Sequence, residues 1–200
     1  MPMMTNEPVF AGVDFTSGRQ PVMLAVLDDS LNIILLEKFE VDRIVAHLEQ
    51  YDRISLVLNV PSTPRLLGIY SDLKKKIGQA GFKFDFTKNI QKQLIDTNAQ
   101  DCFRMLIGRK PLPRRTLEGR VQRGLILYQQ GLRITDPMDF FEELTSHHIL
   151  AGVFPNELLH SASELDALVA AYVAWLAINE PGQTRMTGNK LVIPKEHERD

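Results

Sequence analysis

The sequence predicts a single α/β domain, and three observations indicate this class. Three strand-like apolar runs open the chain, segments with helical spacing then alternate with a further strand, and a long apolar helix comes late. At 200 residues and 44% hydrophobic content, the chain is long enough to bury one substantial core. We therefore expect one compact domain over residues 1–180.

The first half of the chain alternates strands and helices. Segments rich in turn formers separate three strand-like runs, which predicts three antiparallel strands. These runs are Val9–Phe15, Val22–Leu27 and Ile33–Phe39. Apolar residues at helical spacing predict helices over Val41–Gln50 and Arg65–Gly81, on either side of a buried strand at Ile54–Val60. A short strand is expected at Phe82–Phe86.

The middle of the chain is less regular, and we interpret residues 87–147 as a helical insertion. Its first helix is predicted over Ala99–Leu106, where Gly108 ends it. Thr116 is the expected N-cap of the next helix, which ends near Gly131. A further helix at Pro137–Leu144 completes the insertion.

The chain then returns to the core. The pattern predicts a strand at Ile149–Phe154 and a final helix from Ser161 or Ser163 to Ile178, with one face against the sheet. Polar residues outnumber apolar ones after Pro181, so residues 181–200 are expected to form a loosely ordered tail.

Composition bounds the cellular setting and the partners. The single cysteine, Cys102, cannot form an internal disulfide, and no signal peptide pattern opens the sequence, so we expect a cytoplasmic protein. The apolar stretch Leu165–Ile178 is shorter than the ~20 residues of a membrane span, so no membrane contact is predicted. A net charge of −2 excludes a polycation that coats nucleic acid indiscriminately.

Positive charge is nevertheless concentrated between residues 104 and 123. Seven Lys and Arg residues face one acid, Glu118, in this segment. Two interpretations stay open: a solvated face whose charges balance acids elsewhere, or a surface that contacts a phosphate backbone. For the second, the candidate nucleic-acid-binding residues are Arg114, Arg115, Arg120 and Arg123.

Two carboxylates start the search for a functional site. Asp14 ends an apolar run, and a buried carboxylate is normally paired, protonated or bound to a cation. Asp166 falls at the edge of the apolar stripe of the final helix, so its side chain should point towards the strands. Glu164 and Asp166 both also fit a capping-box pattern, which is the structural alternative for these acids.

The run Gly12–Gly18, combined with the late helix that contains Asp166, resembles the RNase H-like superfamily. Within it, the order of segments is most similar to an uncharacterised family of predicted RNase H-like nucleases related to RuvC-type resolvases. The resemblance covers Val9 to about Ile178. It implies a mixed five-stranded sheet, with three antiparallel strands followed by two parallel ones and helices on both faces.

The resemblance also implies a site of divalent-metal-dependent phosphodiester hydrolysis. Asp14 and Asp166 would be the catalytic carboxylates that hold Mg²⁺ or Mn²⁺, with Asn59 as a neutral ligand and Glu164 in support. The sequence departs from the family pattern in two places, because Asn59 and Gly152 stand where relatives carry acids. Weakened activity is expected as a result, and His160 is a secondary candidate.

Three functions therefore stay open. The first is a metal-dependent nuclease acting on a nucleic acid of unknown type. The second is a catalytically degenerate RNase H-like module that binds nucleic acid or another protein. The third is an actin-like phosphotransferase, suggested by Thr16, Ser17 and Gly18, although 200 residues cannot supply its two similar domains. The oligomeric state is left open, with a homo-oligomer as one alternative.

Overall fold

The computed structural model describes residues 7–15, 22–84 and 91–196, and a mixed five-stranded sheet forms its centre. The strands of this sheet are β1 (Val9–Asp14), β2 (Val22–Leu27), β3 (Ile33–Phe39), β4 (Ile54–Asn59) and β5 (Lys92–Thr97). They lie in the order β3-β2-β1-β4-β5. The first three strands are antiparallel, as their pattern predicts, and β4 and β5 run parallel to β1, as the resemblance implies.

Helices cover both faces of the sheet. They are α1 (Val41–Leu48), α2 (Pro64–Gln79), α3 (Ala99–Ile107), α4 (Leu117–Gln129), α5 (Asp139–Glu142), α6 (Ser146–Ala151) and α7 (Ala162–Asn179). One hydrophobic core lies between the sheet and α1 with α2. A second core lies between the opposite face and α3, α4 and α7. The predicted layers are therefore confirmed.

The alternation of side chains along β1 decides which face receives its carboxylate. Val9 and Ala11 belong to the core beneath α1 and α2, whereas Phe10 belongs to the core beneath α7. Gly12 also faces α7, because a Cβ placed on it would meet the backbone of that helix. Since side chains alternate with a period of two, Asp14 lies on the α7 face as well.

The final helix, α7, is the central element of its layer. Ser161 caps its N-terminus, and twelve of its eighteen residues are buried, in a run from Leu165 to Ala177 that Trp175 alone interrupts rather than along a single stripe. The helix packs against β1, β2 and β4. The stretch Asn156–Asn179 is long and apolar enough to cross a membrane, but 67% of its most apolar window is buried within the fold. Its apolar character thus matches the core helix of a soluble domain.

Two expectations for the later part of the chain are wrong. The segment predicted as a strand at Ile149–Phe154 instead overlaps the end of α6, which Gly152 terminates in a left-handed conformation with φ 66°. The fifth strand of the sheet is β5, at Lys92–Thr97, inside the segment interpreted as an insertion. Residues 87–147 are therefore not purely helical, since part of them completes the sheet.

The expected loose tail after Pro181 is also partly folded. A hairpin of β6 (Thr184–Met186) and β7 (Val192–Pro194) follows α7, and Val192 and Ile193 are buried in the core beneath α3 and α7. Residues 197–200 lie outside the described part of the chain. The strand expected at Phe82–Phe86 is reduced to one bridge from Lys83, and residues 85–90 are likewise outside.

Candidate functional site

Two polar side chains meet where β1 and β4 end. Asp14 and Asn59 are direct neighbours in the parallel register of the two strands. They are only 1% and 5% exposed. The amide nitrogen Nδ2 of Asn59 donates a 2.7 Å hydrogen bond to Oδ1 of Asp14. Parallel pairing thus places both groups at the same sheet edge, as the resemblance implies.

The hydrogen bonds of Asn59 define which of its ends faces the carboxylate. The backbone N–H of Ala99, the first residue of α3, donates to Oδ1 of Asn59 at 2.9 Å. A backbone N–H can only donate, so the amide oxygen must lie on that side. Asn59 therefore presents its NH₂ group to Asp14. In this orientation it is a donor, not an oxygen ligand for a metal.

Asp166 of α7 completes the group from the opposite layer. Nη2 of Arg114 lies 2.6 Å from Oδ2 of Asp166 and 3.9 Å from Oδ2 of Asp14. The same nitrogen donates to the backbone carbonyl of Ala162 at 3.3 Å. The structure thus brings together the two predicted catalytic carboxylates, with a guanidinium group beside both of them.

The pKa of Asp166 is raised from its ordinary value of 3.8 to about 7. Burial is the largest cause, because it removes the hydration of the charged form, and the nearby charge of Asp14 raises the pKa further. Arg114 and Arg123 act in the opposite direction by favouring the ionised carboxylate. The site therefore holds two buried acids, and the arginine neighbours favour the ionised form of Asp166.

The loop between α3 and α4 carries Arg114 to this position. Gly108 ends α3 in a left-handed conformation with φ 68°, which turns the chain back towards α4. At the other end of the loop, Thr116 caps α4. The loop also lies directly on α4, because a Cβ on Gly119 would come within 1.9 Å of the carbonyl oxygen of Pro113. A glycine at 119 is thus required for the residue before Arg114 to pack this closely.

Arg123 fastens the same loop from inside the protein. Its Nη1 donates to the carbonyl oxygens of Leu112 and Gly119 at 2.8 and 3.0 Å, and its Nη2 donates to Oε1 of Gln100 at 3.0 Å. The guanidinium carbon also lies 5.2 Å from the centre of the Phe103 ring. Arg123 is 0% exposed, so its predicted place on a contact surface is wrong. It is a structural bridge between α3, α4 and the loop.

Replacing Arg123 by methionine is expected to lower the free energy of unfolding by about 2 kcal/mol, because backbone carbonyls in the interior lose charged donors. Arg115→Met is the matched control, since Arg115 is exposed on the same loop. It should change stability by less than about 0.5 kcal/mol. Urea unfolding of both variants measures the difference, and equal stabilities would contradict the structural role of Arg123.

Arg120 performs a similar task on the segment before α7. Its Nε donates to the carbonyl oxygen of His160 at 2.9 Å, and its Nη2 donates to that of Leu159 at 2.7 Å. His160 is itself largely buried, which lowers its pKa. The hydrogen-bond donors of Arg120 are therefore already occupied by carbonyl groups of the protein's own backbone. As a phosphate contact it would first have to give up these bonds.

The basic segment between residues 104 and 123 is thus largely an internal network rather than a charged face. Arg114, Arg120 and Arg123 bind protein groups, and Arg104 pairs with Asp101 at 3.0 Å. Arg115 is exposed, as a surface contact requires. Arg109 and Lys110 are exposed too. The sequence gives no direct sign of this division, because charge composition does not show whether an arginine points inward.

Glu164 has a structural task at the N-terminus of α7. Its Oε2 accepts a 2.5 Å hydrogen bond from the backbone N–H of Ser161, while Oγ of Ser161 accepts from the N–H of Glu164. This is the capping box that the sequence offers as the alternative to metal binding. Nδ1 of His160 lies 3.9 Å from the same carboxylate oxygen. Ser161 and Glu164 thus stabilise the start of the helix.

The described residues do not fit a divalent metal ion at this site. Mg²⁺ and Mn²⁺ prefer a set of oxygen ligands, several of them charged. Here Asn59 turns its NH₂ group towards Asp14, and the cation beside Asp14 and Asp166 is the guanidinium of Arg114. Within residues 7–15, 22–84 and 91–196, no three His, Cys, Asp or Glu side chains gather as a metal-binding group.

Thr16, Ser17 and Gly18, the residues that suggest a phosphotransferase loop, lie outside the described part of the chain. No known family model matches the sequence, and no curated protein is significantly similar to it.

Proposed function

We propose that the protein is a catalytically degenerate RNase H-like module that works through protein interaction instead of phosphodiester hydrolysis. The observation that carries the proposal is the position of Arg114, 2.6 Å from Asp166 and 3.9 Å from Asp14. At the sheet edge where the resemblance implies metal ions, the chain supplies its own positive charge. Arg114 then balances the buried carboxylates without an exchangeable cation.

The hydrogen bonds of Asn59 support the same proposal. A carboxylate at position 59 would add a third negative charge, whereas the amide donates a hydrogen bond to Asp14 and accepts one from Ala99. Asn59 and Arg114 thus complement each other, since Asn59 carries no negative charge and Arg114 carries a positive one. This combination favours a structural role for the group over metal binding.

Protein interaction is favoured over nucleic-acid binding by the surface. Of the proposed phosphate contacts, Arg120 and Arg123 donate to backbone carbonyls and Arg114 pairs with acids. In contrast, residues 138–154 expose several large apolar side chains, which in soluble proteins mark contact sites. These are Met138, Phe141, Ile149, Leu150, Val153 and Phe154. A cytoplasmic location, consistent with the single buried Cys102, is part of this proposal.

The proposal predicts that the protein neither binds Mn²⁺ nor cleaves nucleic acid. Titration of Mn²⁺ followed by electron paramagnetic resonance should show no saturable binding below about 1 mM. Assays with Mg²⁺ or Mn²⁺ on DNA, RNA and branched substrates should show no hydrolysis. Saturable Mn²⁺ binding that disappears in Asp14→Asn, or cleavage that disappears in the same variant, would overturn the proposal in favour of the nuclease.

A gain-of-binding variant gives the complementary measurement. Asn59→Asp combined with Arg114→Ser places a third carboxylate at the site and removes the internal cation. If Arg114 stands in for a metal, this double variant should bind Mn²⁺ at least about 10-fold more tightly than the unaltered protein. Arg115→Ser combined with Asn59→Asp is the control, because it keeps Arg114. Circular dichroism confirms that each variant is folded.

A further inference from the structure

We infer that the apolar segment 138–154 docks onto a second copy of this chain, in the groove between α3 and α4, to form a two-fold dimer. This inference rests on the proposed function, because it names the partner of the interaction surface. None of the six residues of α6 is buried, and Leu150, in the last turn of this helix, is 88% exposed.

The fold holds α6 in shape although the helix has no buried side chain. Thr145 caps it by accepting from the N–H of His148, whose ring in turn lies near the backbone N–H of Thr145. Gly152 ends it in a left-handed conformation. These local bonds define the helix without packing, so its apolar side chains are presented on a preformed element. A preformed helix loses little conformational entropy on binding.

The receiving site lies on the same molecule. A groove with a volume of about 740 Å³ runs between α3 and α4 and has an apolar lining that includes Ile107, Leu117 and Leu125. This is ample room for the side chains of one helical turn. Grooves of this kind take apolar helix faces in many complexes. The chain therefore carries both a ridge, on α6, and a groove that fits such a ridge.

Phe141 connects the exposed segment 138–154 with the groove, because it belongs to both. It lies in α5, five residues before the start of α6, is 48% exposed, and also lines the α3/α4 groove. A two-fold axis near Phe141 would place α6 of each copy over the groove of the other. Such an interface is self-complementary and closes at two copies, because both surfaces are used. A head-to-tail oligomer would leave one apolar segment and one groove unoccupied at its two ends.

Charge complementarity favours a second copy as the occupant. Residues 136–157 contain five acids and no Lys or Arg, and Glu142 and Glu143 are exposed beside α6. Arg109 lines the groove together with Glu118. Arg109 and the residue after it, Lys110, are both exposed and form a basic pair beside the end of α3. In the dimer, the acidic pair of one copy faces the basic pair of the other. Opposite charges at the rim set the orientation and the rate of association.

The apolar area is also of the right order for a dimer. Weighted by their exposed fractions, the six side chains of segment 138–154 present roughly 670 Å² in each copy, counting about 200 Å² for a large side chain. With the two grooves added, an interface that uses both contacts approaches the roughly 1,600 Å² of a standard stable complex. One contact alone would fall short. The two-fold arrangement is thus the one that reaches a stable size.

Sedimentation equilibrium of the full chain between about 1 and 100 µM tests the inference. The unaltered protein should be dimeric, and Leu150→Asp should raise the dissociation constant by about 100-fold or more. Leu150 is nearly fully exposed, so this change leaves the monomer folded. Leu67→Asp is the matched control, because Leu67 is an exposed leucine on α2 and belongs to neither docking part. It should not alter dimerisation.

Charge reversal tests the pairing directly. The double change Glu142→Lys with Glu143→Lys, or Arg109→Glu with Lys110→Glu, should each weaken the dimer by about 10-fold, and combining all four should restore it. A monomer at all concentrations, or a dimer indifferent to Leu150→Asp, would overturn the inference. Neither result bears on the proposed loss of metal binding, because the Mn²⁺ titration tests that proposal separately.

Discussion

Replacing Arg114 by leucine is expected to lower the free energy of unfolding by about 3 kcal/mol at pH 8 and by about 1 kcal/mol at pH 5. At pH 8 the variant buries Asp14 and Asp166 without the guanidinium that contacts both. Breaking a buried ion pair by removing one partner is costly, because the remaining charge has lost its hydration and its partner. The Arg114 side chain is 25% exposed, so solvent screens its charge in part and the loss of stability is smaller than for a fully buried pair.

The pH dependence follows from the raised pKa of Asp166. In the unfolded chain this acid titrates near 3.8, and in the folded protein it titrates near 7. The folded state therefore binds the proton more tightly, and stability falls as pH rises from about 4 to about 7. Arg114 lowers the pKa of Asp166, so its removal extends this fall to higher pH. At pH 5 Asp166 is mostly protonated with or without Arg114. The difference in stability between the unaltered protein and Arg114→Leu is therefore small at this pH.

Urea unfolding of both proteins between pH 5 and 8.5 measures this effect. Arg115→Leu, the neighbouring exposed arginine, is the control and should match the unaltered protein at each pH. Adding Asp166→Asn to Arg114→Leu should recover part of the stability at pH 8, because the buried charge of α7 is then removed. An equal loss at pH 5 and pH 8 would contradict the electrostatic role assigned to Arg114.

The half of the site that lies on regular elements could be predicted from the sequence. The apolar run before Asp14 predicts a strand, and its parallel neighbour places Asn59 at the same edge. Ser161 and Glu164 mark the start of α7, which fixes where Asp166 meets the sheet. Local patterns of period two and of helix capping determine these positions. They need no knowledge of distant contacts.

The other half depends on contacts that no local pattern records. Arg114 lies in a loop, and its position follows from the close packing of Pro113 on Gly119 and from the bonds that Arg123 makes across three elements. A sequence shows that arginines are numerous here, but not that Arg123 points inward. The only available signal is the excess of positive charge itself, in a chain with two acids predicted to be buried.

The missed elements have a similar physical reason. β5 begins with two polar residues and contains Asp96, which pairs with Lys74 of α2 at 2.5 Å, so its apolar pattern is weak. Backbone pairing with β4 stabilises β5 as a strand, although the strand propensity of its own residues is low. In α6 a strong apolar pattern predicts the wrong element. Apolar residues suggest a strand, but the cap at Thr145 and the left-handed Gly152 favour a short helix.

Replacing Gly12 by alanine is expected to cost more than about 4 kcal/mol, the largest effect of any single change considered. A Cβ at this position would lie 2.1 Å from the carbonyl oxygen of Ala167 and 2.4 Å from the backbone nitrogen of Ala171. Both atoms belong to the backbone of α7, which cannot rotate away as a side chain can. Relief requires α7 to move off β1 along its whole length.

The same contact sets the geometry of the site. Asp14 lies two residues after Gly12 on β1, and Asp166 directly precedes Ala167 on α7. Two strand residues advance about 6.6 Å and one helical residue about 1.5 Å, so both carboxylates lie close to this contact. The close approach at Gly12 therefore holds both carboxylates at the distance that Arg114 spans. In Gly12→Ala this spacing should open, and hydrogen exchange of α7 amides should rise together with the loss of stability.

Gly68→Ala is the matched control for this change. Gly68 lies inside α2, a Cβ there meets nothing within 4 Å, and alanine favours helix, so the variant should be slightly more stable than the unaltered protein. Adding Ala171→Gly to Gly12→Ala should not rescue stability, because the atom in conflict is the backbone nitrogen and not the methyl group. Rescue by this second change, or a Gly12→Ala protein within about 1 kcal/mol of the unaltered one, would show that α7 does not lie this close to β1.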